Sequence, residues 1–320
     1  MSALDMPATR GSGWIGRLAR APATLPLIGL IAMLAAIGIG RPAAISYFGL
    51  SLILAYALPL MFVAMAQLCI MAIGDIDLGI GQFTSLVMCL SAAFLTASPA
   101  LGIIAILLAV AAYASLGALI HLRNMPSIVA TLGAAFVWYG VALTLFPTPG
   151  GGAPPWLIAF ARWKPPFVPL PILVAVLLAL AAHILLMRSS YGVVLRGFGG
   201  NPVAVARAGW RPLAVRVSAY SLAGALAAVG GLLLSGLSTT GDANVGGTYT
   251  LQSIAAVIIG GGQFSGGIVS PIGAVAGAMI ILLTGSMLSF ADISPNWQLS
   301  VQGAILIVVL SLRRLTKRSP

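Results

Sequence analysis

Two carboxylates stand close together inside one of the most apolar regions of the chain. Asp75 and Asp77 lie in the segment 74–82, which reads Gly-Asp-Ile-Asp-Leu-Gly-Ile-Gly-Gln, and neither 43–73 nor 83–96 holds a charge. A carboxylate at membrane depth is costly unless it is paired or hydrated, and glycine weakens a helix. The segment therefore predicts a break in a membrane helix, where irregular backbone lines a cavity or the protein interior. The alternative is a short polar loop at a membrane face.

A second glycine-rich segment extends the candidate pathway. Residues 79–83 (Gly-Ile-Gly-Gln-Phe) resemble 260–264 (Gly-Gly-Gly-Gln-Phe), and glycine-interrupted apolar segments in two halves of a chain point to a transport site. With 38 glycines in the chain, two such short matches could also arise by chance. The candidate pathway residues are Gly74, Asp75, Asp77, Gly79, Gly81, Gln82, Gln263 and Ser265. Within this set, we expect Asp77 to hold the break in shape by accepting hydrogen bonds from backbone N–H groups that the break leaves free.

The composition identifies the class of protein that must position these residues. Of 320 residues, 60% are hydrophobic and 7% are charged, whereas soluble domains carry about 25% charged residues. We therefore predict an all-α polytopic membrane protein. The net charge of +11 reflects basic residues collected between apolar segments, so no nucleic-acid partner is predicted. Cys69 and Cys89 lie within apolar segments and imply no disulfide framework.

The apolar segments predict about ten transmembrane helices, with the break near Gly74–Gly81. Residues 147–168 and 236–250 are predicted loops. Because twelve residues are too few for an ordinary span, 251–262 is either extended by 246–250 or part of a bent helix, and eight or nine crossings are the alternative. The predicted spans are 22–40, 50–73, 78–97, 100–121, 126–146, 169–187, 217–235, 251–262, 268–290 and 297–312.

Basic residues predict the orientation. Most of the 16 Lys and Arg residues fall in 1–20, 188–216 and 313–320, which the positive-inside rule places in the cytoplasm. We accordingly predict a cytoplasmic tail over 1–21, a single transmembrane domain over 22–312 with a cytoplasmic loop at 188–216, and a second cytoplasmic tail over 313–320. The residues expected outside are Arg41, Arg162, Lys164, Asp242 and Asp292.

Sequence signals for catalysis are missing. No segment matches the phosphate-binding pattern Gly-x-x-x-x-Gly-Lys-Ser/Thr, so the chain is not expected to hydrolyse ATP. His121 and His183 lie far apart, with no cysteine or histidine at ligand spacing beside them, so no metal site is predicted. No Ser/His/Asp arrangement is evident. We expect neither enzymatic activity nor a cofactor.

The segment 191–209 carries signals for a short helix outside the bilayer. Asn201 can cap a helix, Pro202 suits its first position and Gly209 can end it. This helix of about two turns either docks a cytoplasmic partner or belongs to a plain loop ordered by lipid headgroups. The candidate docking residues are Gly199, Gly200, Asn201, Ala204, Arg207 and Gly209.

Three segments together resemble a known family. Gly74–Gly81 resembles the GGIDLSVG signature of the permeases of ribose-, galactose- and xylose-type ABC sugar importers. The Gly199-Gly200-Asn201 segment followed by Gly209 resembles their GGN…SGI loop, and 255–261 with Gly266-Gly267 resembles their AIAAVVLGG…GG stretch. The motifs occur in the family's order over 50–312. Branched-chain amino-acid permeases are more distant relatives that usually lack the Ile-Asp-Leu core.

The resemblance implies a membrane subunit of a bacterial inner-membrane importer for a monosaccharide. Two permease subunits, identical or related, would form the pathway; two ATP-binding subunits would use the ATP, and a periplasmic binding protein would deliver the solute. Two positions depart from the pattern, because Asp75 replaces a glycine and Gly79 a serine. The extra carboxylate either faces the pathway and alters the ligand, or pairs with an arginine. A proton-coupled carrier using Asp75 or Asp77, and a non-transporting scaffold, are the alternative functions.

Overall fold

The structure is a computed structural model that describes residues 23–294 together with 297, 300, 301, 303 and 304. This part is helical, apart from a single antiparallel bridge between Gly150 and Gly241. Its α-helices in chain order are α1 Thr24–Gly40, α2 Tyr47–Ile53, α3 Ala57–Ala72, α4 Ile80–Leu90, α5 Pro99–Leu122, α6 Ser127–Leu145, α7 Pro155–Ala161, α8 Leu170–His183, α9 Ser190–Gly200, α10 Pro202–Arg207, α11 Pro212–Ser238, α12 Gly246–Ile259 and α13 Pro271–Phe290. Single π-helical turns extend α4 over Ser91–Leu95 and α8 over Ile184–Arg188.

Several helices are long and apolar enough to cross a membrane. Among the described residues, five helices meet this description alone: α5, α6, α8 with its π-helical turn, α11 and α13. Helices α2 and α3, bent by 51° at a short break, form a sixth candidate span, and α1 and α4 are shorter apolar helices. The expectation of a polytopic helical membrane protein is confirmed. The count of ten crossings is not established, and most of the expected span 297–312 lies outside the described residues.

Helix α3 lies at the centre of the molecule. Every residue of α3 except Phe62 is buried, which suits a helix that is apolar on all sides. It packs most extensively against α11 and also against α12, α13 and α8. Helices α5, α6 and α8 instead leave large aliphatic side chains exposed, as a surface in contact with lipid requires. The break that follows α3 therefore begins in the protein interior.

Two predicted loops contain helices. The short helix α7 lies within 147–168, and α9 lies within 188–216, whose last residues already belong to α11. The glycine-rich sequence of α9 favours a loop, but the Ser189 side chain caps this helix, and Leu195 and Phe198 are buried on one side. Packing thus overrides weak helix propensity here. Conversely, α12 begins at Gly246, which confirms that the short segment 251–262 is extended by 246–250.

Two pairs of helices are interrupted. Helices α3 and α4 are separated by 73–79, and α12 and α13 by 260–270. The short resemblance between 79–83 and 260–264 does not reflect this arrangement, because Gly79 caps the start of α4 whereas Gly260 caps the end of α12. The positions that correspond are Gly74 and Gly261, which follow α3 and α12 with positive φ angles of 82° and 101°.

Candidate functional site

The backbone of the break is held by side chains of α6. The Ile76 N–H donates to Ser127 Oγ at 3.2 Å, and the Leu78 N–H donates to Thr131 Oγ1 at 3.1 Å. The Thr131 hydroxyl has the Ile76 carbonyl as an acceptor at 3.3 Å. Ser127 and Thr131 are four residues apart, so one face of α6 presents both hydroxyls to the break. These bonds replace those that an unbroken helix would have made.

Asp77 accepts a backbone hydrogen bond at the break, as the sequence predicts for a structural carboxylate. It is fully buried, and its Oδ1 accepts the Gly79 N–H at 2.6 Å. Its Oδ2 accepts a hydrogen bond from the hydroxyl of Tyr113 on α5, whose ring also packs on Phe83 with the ring centroids 4.6 Å apart. The two carboxylate oxygens therefore tie the start of α4 to α5.

Asp75 is paired with an arginine. Its Oδ2 lies 3.1 Å from Nε of Arg216, and its Oδ1 accepts a hydrogen bond from Nη2 of Arg216 at 3.3 Å. Tyr220, one turn further along α11, donates to Oδ2 at 3.3 Å. With 6% of its surface exposed, Asp75 is a buried, charge-compensated group. Of the two readings of this carboxylate, the geometry favours pairing over an open position on a pathway.

Three glycine-rich segments meet at one point, which we call the glycine junction: Gly74, Gly199, Gly266 and Gly267. A methyl group added at Gly199 would overlap the Ala72 carbonyl oxygen and lie 2.6 Å from the Gly267 nitrogen. One added at Gly266 would lie 2.8 Å from both the Gly199 oxygen and the Gly74 Cα. The Gly267 N–H donates to the Ala72 carbonyl at 3.0 Å. Only glycine allows these three backbones to approach so closely.

The short helix α10 has the caps that the sequence predicts. The Asn201 side chain accepts the Ala204 N–H at 3.0 Å, Pro202 is the first residue and Gly209 follows the end with a φ of 90°. Arg207 is exposed. Helices α9 and α10 border a surface groove of ≈ 470 Å³, lined by Val193, Val194, Gly197, Gly200, Asn201, Ala204, Val205, Ala208 and Trp210.

A cation–π contact connects this helical segment with the break. The guanidinium carbon of Arg216 lies 5.7 Å from the centroid of the Phe198 ring, and Phe198 is buried one residue before Gly199. The guanidinium of Arg216, which pairs with Asp75, thus also contacts α9 through the Phe198 ring. Both the glycine junction and this contact join α9 to the break after α3.

The structure separates residues that the sequence grouped as one pathway. Gln82, near the start of α4, contacts Gly246 at the start of α12. Gln263 and Ser265 follow the other end of α12, next to the glycine junction. Since α12 has 14 residues, its ends are about 21 Å apart at a rise of about 1.5 Å per residue. Gln82 and Gln263 therefore cannot contact the same small solute.

Sequence reasoning missed the partners of the two carboxylates. Tyr113 and Tyr220 are polar side chains in apolar spans, which was an available signal, because a buried hydroxyl needs a partner. Arg216 was counted as part of a cytoplasmic loop, since no motif distinguishes an arginine in the first turns of a helix from one before it. Ser127 and Thr131 carry no sequence signal beyond their spacing of four residues.

The family follows from a match over most of the chain. The family model described as "Branched-chain amino acid transport system / permease component" matches residues 49–310. The chain belongs to this permease family. Its matched region includes the break, the glycine junction and both helices α9 and α10, so the permease carries its family's sequence pattern across the whole candidate site.

Individual relatives of the permease are named as sugar permeases. The xylose transport system permease protein XylH of Escherichia coli K12 is 33% identical over 151 residues, which cover 47% of this chain and 38% of XylH. The ribose import permease protein RbsC of Bacillus subtilis is 31% identical over 201 residues, 62% of each chain. The galactose/methyl galactoside import permease protein MglC of Haemophilus influenzae is 27% identical over 265 residues, 75% of this chain and 78% of MglC.

These matches differ in how much of each relative they cover. The permease spans well under half of XylH and slightly less than two thirds of RbsC, and it covers most of MglC. No solved structure matches the chain. The resemblance to sugar permeases read from the three motifs is confirmed at the level of the family and its sugar-permease relatives.

Proposed function

We propose that this permease is the membrane-spanning subunit of an ABC importer and forms the pathway for a monosaccharide. The convergence of the three motif segments at the glycine junction carries this proposal. Helix α9, which lies in the arginine-rich segment 188–216, closely approaches the breaks of both discontinuous helices there, α3/α4 and α12/α13. Discontinuous helices of this kind are typical of transport sites. The names of the relatives supply the substrate class.

In this proposal, α9 and α10 couple the ATP-binding subunit to the transport pathway. An ATP-binding subunit docks against the groove beside α10, and its movement on binding ATP displaces α9. Because Gly199 contacts the Ala72 carbonyl and the nitrogen of Gly267, α9 cannot shift without moving the ends of both discontinuous helices. The contact from Phe198 through Arg216 to Asp75 provides a second connection to the same break. Such packed elements adopt discrete arrangements, as a two-state conduit requires.

The assembly and location belong to the same proposal. Two permease subunits, identical or related, form the conduit in a bacterial inner membrane, with both termini in the cytoplasm. Two ATP-binding cassette subunits use the ATP, so the permease itself needs no cofactor, and a periplasmic binding protein delivers the sugar. The exposed aliphatic faces of α5, α6 and α8 support contact with lipid or with a second subunit.

The environment of the carboxylates disfavours a proton-coupled carrier. Such a carrier would load and release a proton on Asp75 or Asp77 in each cycle. Asp75 is held in an ion pair with Arg216, and Asp77 accepts bonds that fix the start of α4. Protonation of either group would weaken contacts that hold the break together.

The family description supports a second candidate substrate. Branched-chain amino acids are named in the description of the matching family model. The sugar-permease relatives and the Ile-Asp-Leu core at 76–78 favour a sugar. Uptake of labelled D-xylose, D-ribose, D-galactose and L-leucine, measured in cells expressing the chain with its genomically adjacent ATPase and binding protein, separates the two.

A mutation of the groove tests the role of α10. Ala204→Glu places a charge in the groove beside Trp210, and we expect the ATPase to be lost from the purified complex while the permease still inserts in the membrane. Val203→Glu introduces the same charge at an exposed position of α10 that does not line the groove, so it is the matched control, and the complex should survive it. If Ala204→Glu leaves both the complex and sugar uptake intact, the docking assignment is wrong.

A further inference from the structure

A short segment that contains a 3₁₀ turn over Ala243–Val245 runs along α4 before α12 begins. A methyl group at Gly241 would lie 3.1 Å from both the Ala92 Cβ and the Cys89 Cα, near the end of α4. Five residues later, Gly246 contacts Gly81 and Gln82, near the start of α4. The segment 241–246 thus follows α4 from its end to its start, at a level about 21 Å from the end of α12 that lies next to the glycine junction.

Three polar side chains on this segment and on α6 form a connected cluster. The Tyr139 hydroxyl donates to Asn244 Oδ1 at 2.9 Å. The Asn244 side-chain amide donates to Asp242 Oδ1 at 3.3 Å, and the Asn244 backbone N–H donates to the same oxygen at 2.8 Å. Asn244 is exposed, and Asp242 and Tyr139 are half-buried. The cluster is therefore ordered by its own bonds and open on one side.

Gln82 adds an unsatisfied amide at the inner end of the same segment. Its Oε1 is buried and has no hydrogen-bond partner among the described residues, and it contacts Gly246, two residues beyond Asn244. A buried amide oxygen without a partner is costly, and water or a ligand hydroxyl would satisfy it. Within the described chain, Asp242 accepts hydrogen bonds through Oδ1 alone, and its second carboxylate oxygen makes neither a hydrogen bond nor an ion pair.

We propose that Asp242, Asn244, Tyr139 and Gln82 form a binding site for the hydroxyl groups of a neutral polyhydroxylated solute, at which the permease holds its cargo on the outer side of the breaks. The inference rests on the proposed function and specifies the solute-binding residues. A carboxylate accepts hydrogen bonds from hydroxyl groups, and a side-chain amide both accepts from them and donates to them. The Tyr139 ring supplies an aromatic surface. The cluster holds a single carboxylate, which suits an uncharged solute.

Uptake kinetics of matched variants test the site. Cells expressing the full importer are supplied with D-xylose, D-ribose or D-galactose. We expect Asp242→Asn, which keeps the shape and removes the charge, to raise KM at least about tenfold with a smaller change in Vmax, since bonds to charged groups are the stronger ones. Asn244→Ala and Tyr139→Phe should also raise KM. The controls are Asp292→Asn and Tyr47→Phe, which make the same chemical changes elsewhere.

A labelling experiment reports binding without transport. Gly247→Cys fits without collision, because its nearest contact is Gln82 Nε2 at 3.6 Å, and the natural Cys69 and Cys89 are buried. We expect a membrane-impermeant maleimide added from outside to label this cysteine, and a saturating transported sugar to slow the labelling. L-Leucine should not slow it. Ser265→Cys, beside the glycine junction, should label only from the inner side.

The results of these experiments distinguish a failure of the proposed binding site from a failure of the proposed transport function. Unchanged KM values together with unprotected labelling, in an importer that still moves one of the sugars, overturn the binding site alone. A wild-type importer that moves none of the sugars overturns the proposed function, and labelling of Gly247→Cys that D-xylose, D-ribose and D-galactose all fail to slow then overturns the site as well. If a variant made for the KM measurements fails to accumulate in the membrane, the labelling experiment tests the binding site instead. The Gly247→Cys variant leaves all four proposed binding residues unchanged.

Discussion

The two carboxylates of the break have different structural partners. Asp77 accepts the Gly79 N–H, which the break leaves free, and the hydroxyl of Tyr113 on α5. Asp75 instead binds Arg216 and Tyr220, which lie on a helix that begins more than 130 residues later. One acidic residue shapes the local backbone, and the other attaches that backbone to α11. Substitutions should therefore affect the two residues differently.

The role of Asp77 is tested by a substitution that removes the side-chain charge and keeps the side-chain shape. Asp77→Asn replaces one acceptor oxygen by an NH2 donor, so both hydrogen bonds lose their charge assistance and the bond at that position must reverse its direction or break. Each charge-assisted bond contributes about 1.5–3 kcal/mol. We expect a lower Tm of the purified permease and less assembled complex, measured by thermal unfolding in detergent and by co-purification. A stability equal to that of the wild type would refute the structural role.

For Asp75, the test is a double-mutant cycle with its arginine. Asp75→Ala leaves the half-buried Arg216 without its counter-ion, and we expect it to destabilise the permease by up to about 3–5 kcal/mol, the loss that removing one partner of a fully buried pair causes. Asp75→Ala combined with Arg216→Met should recover much of that loss. Additive losses in the double variant would show that the pair is not coupled.

At the scale of elements, the glycine junction is the contact between α9 and the two discontinuous helices. Neighbouring glycines of α9 have opposite surroundings. A methyl group at Gly199 would collide with the Ala72 carbonyl, whereas one at Gly200 would meet no atom within 4 Å. The sequence Gly199-Gly200 therefore contains both a test position and its control.

We expect Gly199→Ala to disrupt coupling and Gly200→Ala to be tolerated. A side chain at Gly199 must push α9 away from the end of α3, so sugar uptake should fall by at least about tenfold, as overpacking a tight contact costs about 1–3 kcal/mol. Uptake and ATPase co-purification of both variants are the measurements. Equal activity of the two variants would mean that the close approach has no role in transport.

At the scale of the whole molecule, the energy source distinguishes the proposed function from its main alternative. Both membrane-embedded carboxylates are engaged in fixed contacts, so a transport cycle need not change their protonation. We predict that uptake requires the ATPase, the binding protein and ATP, and that it persists after a protonophore collapses the proton gradient. Uptake that continues without ATP, stops with the protonophore and is lost in Asp77→Asn would establish a proton-coupled carrier instead.

The sequence by itself determined the class of protein and the segments that matter. Its apolar composition requires a membrane protein, and Gly74–Gly81 must interrupt a helix, because charges and glycines are costly in the middle of a span. The cap of α10 was also readable, since Asn201 and Pro202 act on backbone only a few residues away. Each of these features depends on local chemistry, which a sequence states directly.

Only the tertiary structure decided which distant groups meet. Asp75 is 141 residues from Arg216, and Gly74 is far from both Gly199 and Gly266 in sequence, yet the packing of α3, α9 and α12 brings them into contact. The same packing separated Gln82 from Gln263, although their short motifs look alike. Helix-to-helix contacts depend on the shapes of many side chains at once, and no short pattern encodes them. The charge of Asp75 was visible in the sequence, but its pairing with Arg216 was not.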